Sequence, residues 1–69
     1  MPRVTVEWLA IRSPKQRADV AQKITDAMVE VTNCRPDQVT VVFNEVDPAH
    51  QAKGGKFWTE ILKTQESET

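Results

Sequence analysis

Two residues near the start of the chain have types and spacing suited to proton transfer. Pro2 follows Met1, so removal of the methionine leaves a secondary amine at the N-terminus. An α-amino group titrates much closer to neutrality than a lysine. A poorly solvated, cationic surrounding lowers it further and makes it a general base that moves a proton between carbon atoms. Arg12 falls in the turn expected after the first strand. Its planar guanidinium can clamp a carboxylate through two charge-assisted hydrogen bonds. Placed near Pro2, it would also disfavour the protonated amine, so one arginine would serve binding and tuning together. Taken singly, a proline after the initiator methionine is common and an arginine in a turn is more often a solvated loop residue; the pair gains its meaning from the elements that position it.

Those elements are legible. From Arg3 to Leu9 the chain alternates, with Val4, Val6 and Trp8 pointing one way and Arg3, Thr5, Glu7 and Leu9 the other, the period of a strand. Pro2 precedes the ladder, where a missing N–H does no harm. Ser13 reads as a helix N-cap, Pro14 as the first helical residue and Gln16 as the partner that closes a capping box. Val20, Ala21, Ile24, Ala27, Met28 and Val31 form a helical stripe that can cover a sheet, with Arg17, Gln22, Lys23, Asp26 and Glu30 toward solvent. Asn33 and Pro36 stop this helix near Thr32. The stretch QVTVVFNEV is a second strand in which Val39, Val41 and Phe43 alternate against Thr40, Val42 and Asn44. Strand, crossover helix and strand imply parallel pairing with a right-handed connection. DPAHQAKGG reads as a loop, KFWTEIL as a short strand or hairpin reaching a neighbouring copy, and residues 63–69 as a frayed tail after a domain spanning 1–62. The expected fold class is thus α/β: a small β-α-β unit with parallel strands and a short C-terminal strand or hairpin, completed by oligomerisation.

Size supports that last step. A domain of 69 residues buries only roughly 60% of the surface its unfolded chain exposes. Cys34 has no disulfide partner, and Cys34 with His50 does not make a structural zinc site. Self-association remains, through open strand edges and through Leu9 and Val42 on the face that the helix leaves uncovered. Trp8 and Phe43 read as core, and Phe57 and Trp58 as contacts between copies. A net charge of -1 gives no global attraction to nucleic acid or anionic membrane. No stretch approaches a membrane span or a secretory signal, and the lone thiol suits a reducing compartment, so a cytoplasmic protein is expected. His50 reads as a surface loop residue and Cys34 as structural. Gly54 and Gly55 lack the lysine and hydroxyl residue of a phosphate loop and serve a turn instead.

Together, MPRVTVEWLAIRS, the long helix, PDQVTVVFNEV and AKGG resemble the 4-oxalocrotonate tautomerase family over Pro2 to about Ile61. The resemblance implies β-α-β subunits assembled as a hexamer, a trimer of dimers, with some dimeric and trimeric relatives. It implies keto–enol isomerisation of a small 2-oxo or 2-hydroxydienoate-type acid, without cofactor or metal, with Pro2 as the proton shuttle and Arg12 as the carboxylate-binding arginine. The family's second arginine, on the second strand, falls at Thr40, and its apolar aromatic wall falls at Gln51. Threonine donates a hydrogen bond but lacks a cation's field, and glutamine makes the pocket wetter. Ile11 stands where many relatives have a glycine, and Arg3, Arg35 and Lys53 are candidate replacement cations. These departures keep two alternatives open. One is a proline-dependent dehalogenase or decarboxylase of short acids, with Glu7, Asn44 or Glu45 to orient water in a hydration. The other is a catalytically degenerate structural or ligand-binding oligomer.

Overall fold

The computed structural model describes residues 2–67, with side chains as far as residue 64. Strand β1 (Arg3–Leu9) alternates as its sequence requires: Val4, Val6 and Trp8 are half-buried, while Arg3, Thr5 and Glu7 are exposed. Helix α1 (Pro14–Thr32) opens on the expected capping box. The Ser13 hydroxyl accepts from the Gln16 N–H at 3.1 Å, and the Gln16 side-chain carbonyl accepts from the Ser13 N–H at 2.9 Å. It closes on Asn33 in the left-handed region, φ 60°, whose N–H donates to the Val29 carbonyl at 2.9 Å.

The covered face of α1 carries Arg17, Val20, Ala21, Ile24 and Met28. Two residues of the expected stripe are not on it: Ala27 is exposed and Val31 is 82% exposed. A helix of 19 residues is about 28 Å long, against roughly 23 Å for a seven-residue strand. The last helical turn therefore overhangs the sheet. Arg17, expected toward solvent, is half-buried because it reaches back to β2.

A single turn of 3-10 helix, Pro36–Gln38, leads into β2 (Thr40–Val46). Val39 closes this turn, its N–H donating to the Pro36 carbonyl at 3.2 Å, and does not join the strand as expected. The two strands pair in parallel, in register from Arg3 opposite Thr40 to Leu9 opposite Val46. Partners in register share a face. Val4, Val6 and Trp8 with Val41, Phe43 and Glu45 thus form the side toward α1, and Arg3, Thr5, Glu7 and Leu9 with Thr40, Val42, Asn44 and Val46 form the other.

Beyond the turn Pro48–His50, strands β3 (Ala52–Lys53) and β4 (Lys56–Phe57) make an antiparallel hairpin. Gly54 and Gly55 turn it at φ 60° and 82°, a region that other residues enter at a steric cost. The extended reading of KFWTEIL holds only for its first two residues, because Trp58 begins helix α2 (Trp58–Ser67). Trp58, Ile61 and Leu62 are its half-buried positions, a helical spacing that seven residues do not separate from alternation. The expected tail is helical through Ser67, and residues 68–69 lie outside the described residues. Helix α2 packs mainly on its own hairpin and the Pro48–His50 turn.

Among the described residues no side chain is fully buried. The accessible surface is 5351 Å², where a compact monomer of this size exposes about 4,400 Å². The radius of gyration is 15.7 Å, against about 11 Å for a compact domain. One copy is therefore an open structure, with Ile11, Val31 and Phe57 in solvent and half a core waiting to be closed. No helix among the described residues is long and apolar enough to cross a membrane.

The capping box is the local anchor of α1, so Ser13→Ala should lower stability by about 1 kcal/mol. Urea unfolding at fixed protomer concentration reads this as a lower midpoint. An unchanged midpoint would contradict the assignment.

Candidate active site

Pro2 lies at the head of β1 and is half-buried. Its carbonyl accepts from the Thr40 N–H at 3.0 Å, which ties the start of the chain to the start of β2. Thr40 is exposed, beside Arg3 on the sheet face turned away from α1. Of the three cations named from the sequence, Arg3 alone is adjacent to this pair. Arg35 is engaged with Asp37, Nε to Oδ1 at 3.2 Å, and Lys53 belongs to β3.

Arg12 stands at the other end. The turn that carries it is fixed by two backbone hydrogen bonds, Ala10 N–H to the Val46 carbonyl at 2.8 Å and Ile11 N–H to the Leu9 carbonyl at 2.7 Å. The Arg12 guanidinium carbon sits 5.6 Å from the centroid of the Trp8 ring. Trp8 stacks in turn on Phe43, centroid to centroid 5.1 Å at an interplanar angle of 29°. From α1, Arg17 Nη1 donates to the Arg12 carbonyl at 3.3 Å and to Glu45 Oε1 at 2.9 Å. This brace was invisible in the sequence, since its partners are 28 residues apart and no local pattern links them. It also commits Glu45, which the sequence offered as a group to orient water, to an ion pair at the end of the sheet away from Pro2.

Within one copy the structure thus unites Pro2 with Thr40 at the head of the sheet and sets Arg12 at its other end. Seven extended residues of β1 intervene, about 23 Å of strand, more than an arginine side chain spans. Gln51 follows the same far end of β2 and joins the hairpin, its carbonyl accepting from the Trp58 N–H at 2.9 Å. His50 is exposed in the turn before it, where the Asp47 carboxylate caps the Ala49 N–H at 2.9 Å. Cys34 is half-buried, its thiol 3.9 Å from the Met28 carbonyl at the end of α1. A groove between α2 and the preceding turn, lined by Pro48, Thr59, Glu60, Leu62 and Lys63, contains none of the candidate residues. Among the described residues no three His, Cys, Asp or Glu side chains gather closely enough to hold a metal.

Residues 2–60 match the family model described as "Tautomerase enzyme". The chain is similar to the 2-hydroxymuconate tautomerase of Bacillus subtilis, with 34% identity over 56 residues, 81% of this chain and 90% of that protein. Among solved structures it resembles a 4-oxalocrotonate tautomerase isozyme from Methylibium petroleiphilum, with a TM-score of 0.78 and 27% identity, covering 91% of this chain and 98% of that one. It also resembles a heterohexameric 4-oxalocrotonate tautomerase from Chloroflexus aurantiacus, with a TM-score of 0.76 and 26% identity over 88% of this chain and 98% of that one.

The brace beneath Arg12 can be tested without a substrate. Arg17 and Glu45 are 35% and 26% exposed. Arg17→Met keeps the aliphatic stem, removes the ion pair and should lower stability by about 1 kcal/mol. The same loss is expected from Glu45→Gln, and the double variant should lose little more than either single one. Fully additive losses would show that the two side chains do not act together.

Proposed function

The chain belongs to the tautomerase family, and from that premise we propose that it is a cofactor-independent keto–enol tautomerase of a small 2-oxo or 2-hydroxydienoate-type acid, with Pro2 as its general base. The observation that carries the reading is the seat of Pro2, half-buried at the head of β1 with its carbonyl held by Thr40. The nitrogen of a Met–Pro peptide bond is an amide whose lone pair is delocalised and unavailable. Removal of Met1 converts the same atom into an amine at a fixed position.

In the forward direction the Pro2 amine takes the proton of the 2-hydroxyl group. The oxygen's electron pair forms the C2 carbonyl, the double-bond electrons shift along the chain, and the resulting carbanionic carbon takes the proton back from Pro2. No atom is gained or lost, and no electron acceptor is required. The Thr40 hydroxyl, one position across the sheet from Arg3, donates a hydrogen bond to the oxygen as charge develops on it. Arg12 clamps the carboxylate bidentately. Gln51 contributes a polar wall, which lets more water in than an aromatic side chain would.

Because about 23 Å of strand separates Pro2 from Arg12 within a chain, the arginine serving each Pro2 comes from another copy. The working species is therefore a homo-oligomer, a hexamer built as a trimer of dimers, in keeping with the open faces of the single copy and the hexameric Chloroflexus aurantiacus relative. A lone thiol, Cys34, suits a cytoplasmic setting.

Co-assembly of two inactive variants tests this arrangement, with 2-hydroxymuconate as the probe and loss of its dienol absorbance as the signal. Pro2→Ala and Arg12→Ala should each lose at least about a hundredfold in kcat/KM. Oligomers co-expressed from both should regain activity at about a quarter of their sites, those in which an intact Pro2 meets an intact Arg12 of another copy. Undiminished turnover by Pro2→Ala would refute the base, and dead mixed oligomers would refute the shared site.

A further inference from the structure

We propose that Trp8 is the positioning residue for Arg12: its indole face holds the guanidinium at the carboxylate subsite while leaving every N–H of the fork free for substrate. This rests on the reading of Arg12 as the carboxylate clamp and adds the group that orients it.

Arg12 is exposed and sits on a turn, so an unrestrained side chain would sample many rotamers and lose that freedom on binding. Its backbone is fixed by Arg17, which donates to the Arg12 carbonyl at 3.3 Å. Among the described residues its head group is restrained by Trp8 alone, at 5.6 Å from the ring centroid and within cation–π range. Among the described residues Arg12 has no ion-pair partner, whereas Arg17 and Arg35 both have one. The difference matters chemically. A carboxylate neighbour would hold the guanidinium more firmly but would occupy the fork and neutralise its charge, whereas an aromatic face restrains it from the side and consumes none of its five donors.

The choice of tryptophan supports the same assignment. Trp8 Nε1 is buried and has no hydrogen-bond partner among the described residues, a penalty that phenylalanine or leucine would not carry. Packing alone would be served by either. Tryptophan presents the strongest cation-binding face of the aromatic residues, and stacking on Phe43 at 5.1 Å locks that face in place. Phe43 lies on β2 and Arg12 beyond β1, so the Arg12, Trp8 and Phe43 side chains form a row at the far end of the sheet.

The test is steady-state kinetics of the assembled, methionine-processed protein with 2-hydroxymuconate. Trp8→Leu should raise KM about three- to tenfold and change kcat by less than about twofold. Trp8→Phe, which keeps an aromatic face, should recover most of that loss. In an Arg12→Ala background Trp8→Leu should add nothing further. Where Trp8→Leu impairs assembly, successive fluorination of Trp8 in a Trp58→Phe background weakens the ring's field without changing its shape, and KM should climb with each fluorine. An unchanged KM across that fluorine series, or an equal rise on Trp8→Leu with Arg12 present and absent, would overturn the proposal. Should Arg12→Ala itself leave KM unchanged, the carboxylate role of Arg12 falls, and the role of Trp8 falls with it.

Discussion

A single parallel strand pair, in register from Arg3 opposite Thr40 to Leu9 opposite Val46, sets the terms for everything else in this protein. Parallel pairing makes both strands start at one end of the sheet and finish at the other. The start gathers Pro2, Arg3 and Thr40, a prospective amine beside a cation and a hydroxyl. The finish gathers Trp8, Arg12, Phe43 and Glu45, with Arg17 reaching down from α1. The strand has no bulge or break in its register that would bring these ends together. Chemistry that needs both ends must be built by juxtaposing the start of one copy with the finish of another.

The same geometry explains why the single copy is so open. Helix α1 covers one face of a two-stranded sheet; among the described residues no further strand pairs with either edge, and α2 packs mainly on its own hairpin. With no fully buried side chain among the described residues, a single copy gains too little from burial to offset the conformational entropy of ordering it, about 1 to 2 kcal/mol for each backbone residue. The proposed assembly would therefore make folding and association one process. In the proposed assembly the surfaces that stabilise the fold would also complete the site, so substitutions at an interface are expected to affect activity and stability together.

Much of this was legible in the sequence, and the parts that were not have physical reasons. The alternation Val4, Val6, Trp8 and the capping box of Ser13 with Gln16 are local signals, and both appear as read. The resemblance to the 4-oxalocrotonate tautomerases, carried by the opening segment, the second strand and the glycine pair, is met by the family model over residues 2–60. Helix α2 was missed because a stretch as short as KFWTEIL fits two periods equally well. Arg17 was assigned to solvent because periodicity describes a helix surface and not the single long side chain that bridges from it to β2. The separation of Pro2 from Arg12 was implicit in the strand itself. What a lone sequence does not carry is which copy would supply which residue to a shared site.

The central claim is that the Pro2 nitrogen, as a free amine, is the base. Its most direct test is intact-mass measurement on natively purified protein, fractionated by the presence or absence of Met1, with turnover of 2-hydroxymuconate recorded on each fraction. The account predicts that all turnover resides in the species lighter by one methionine residue. Equal turnover in a fraction that fully retains Met1 would contradict it, because an amide nitrogen cannot shuttle the proton.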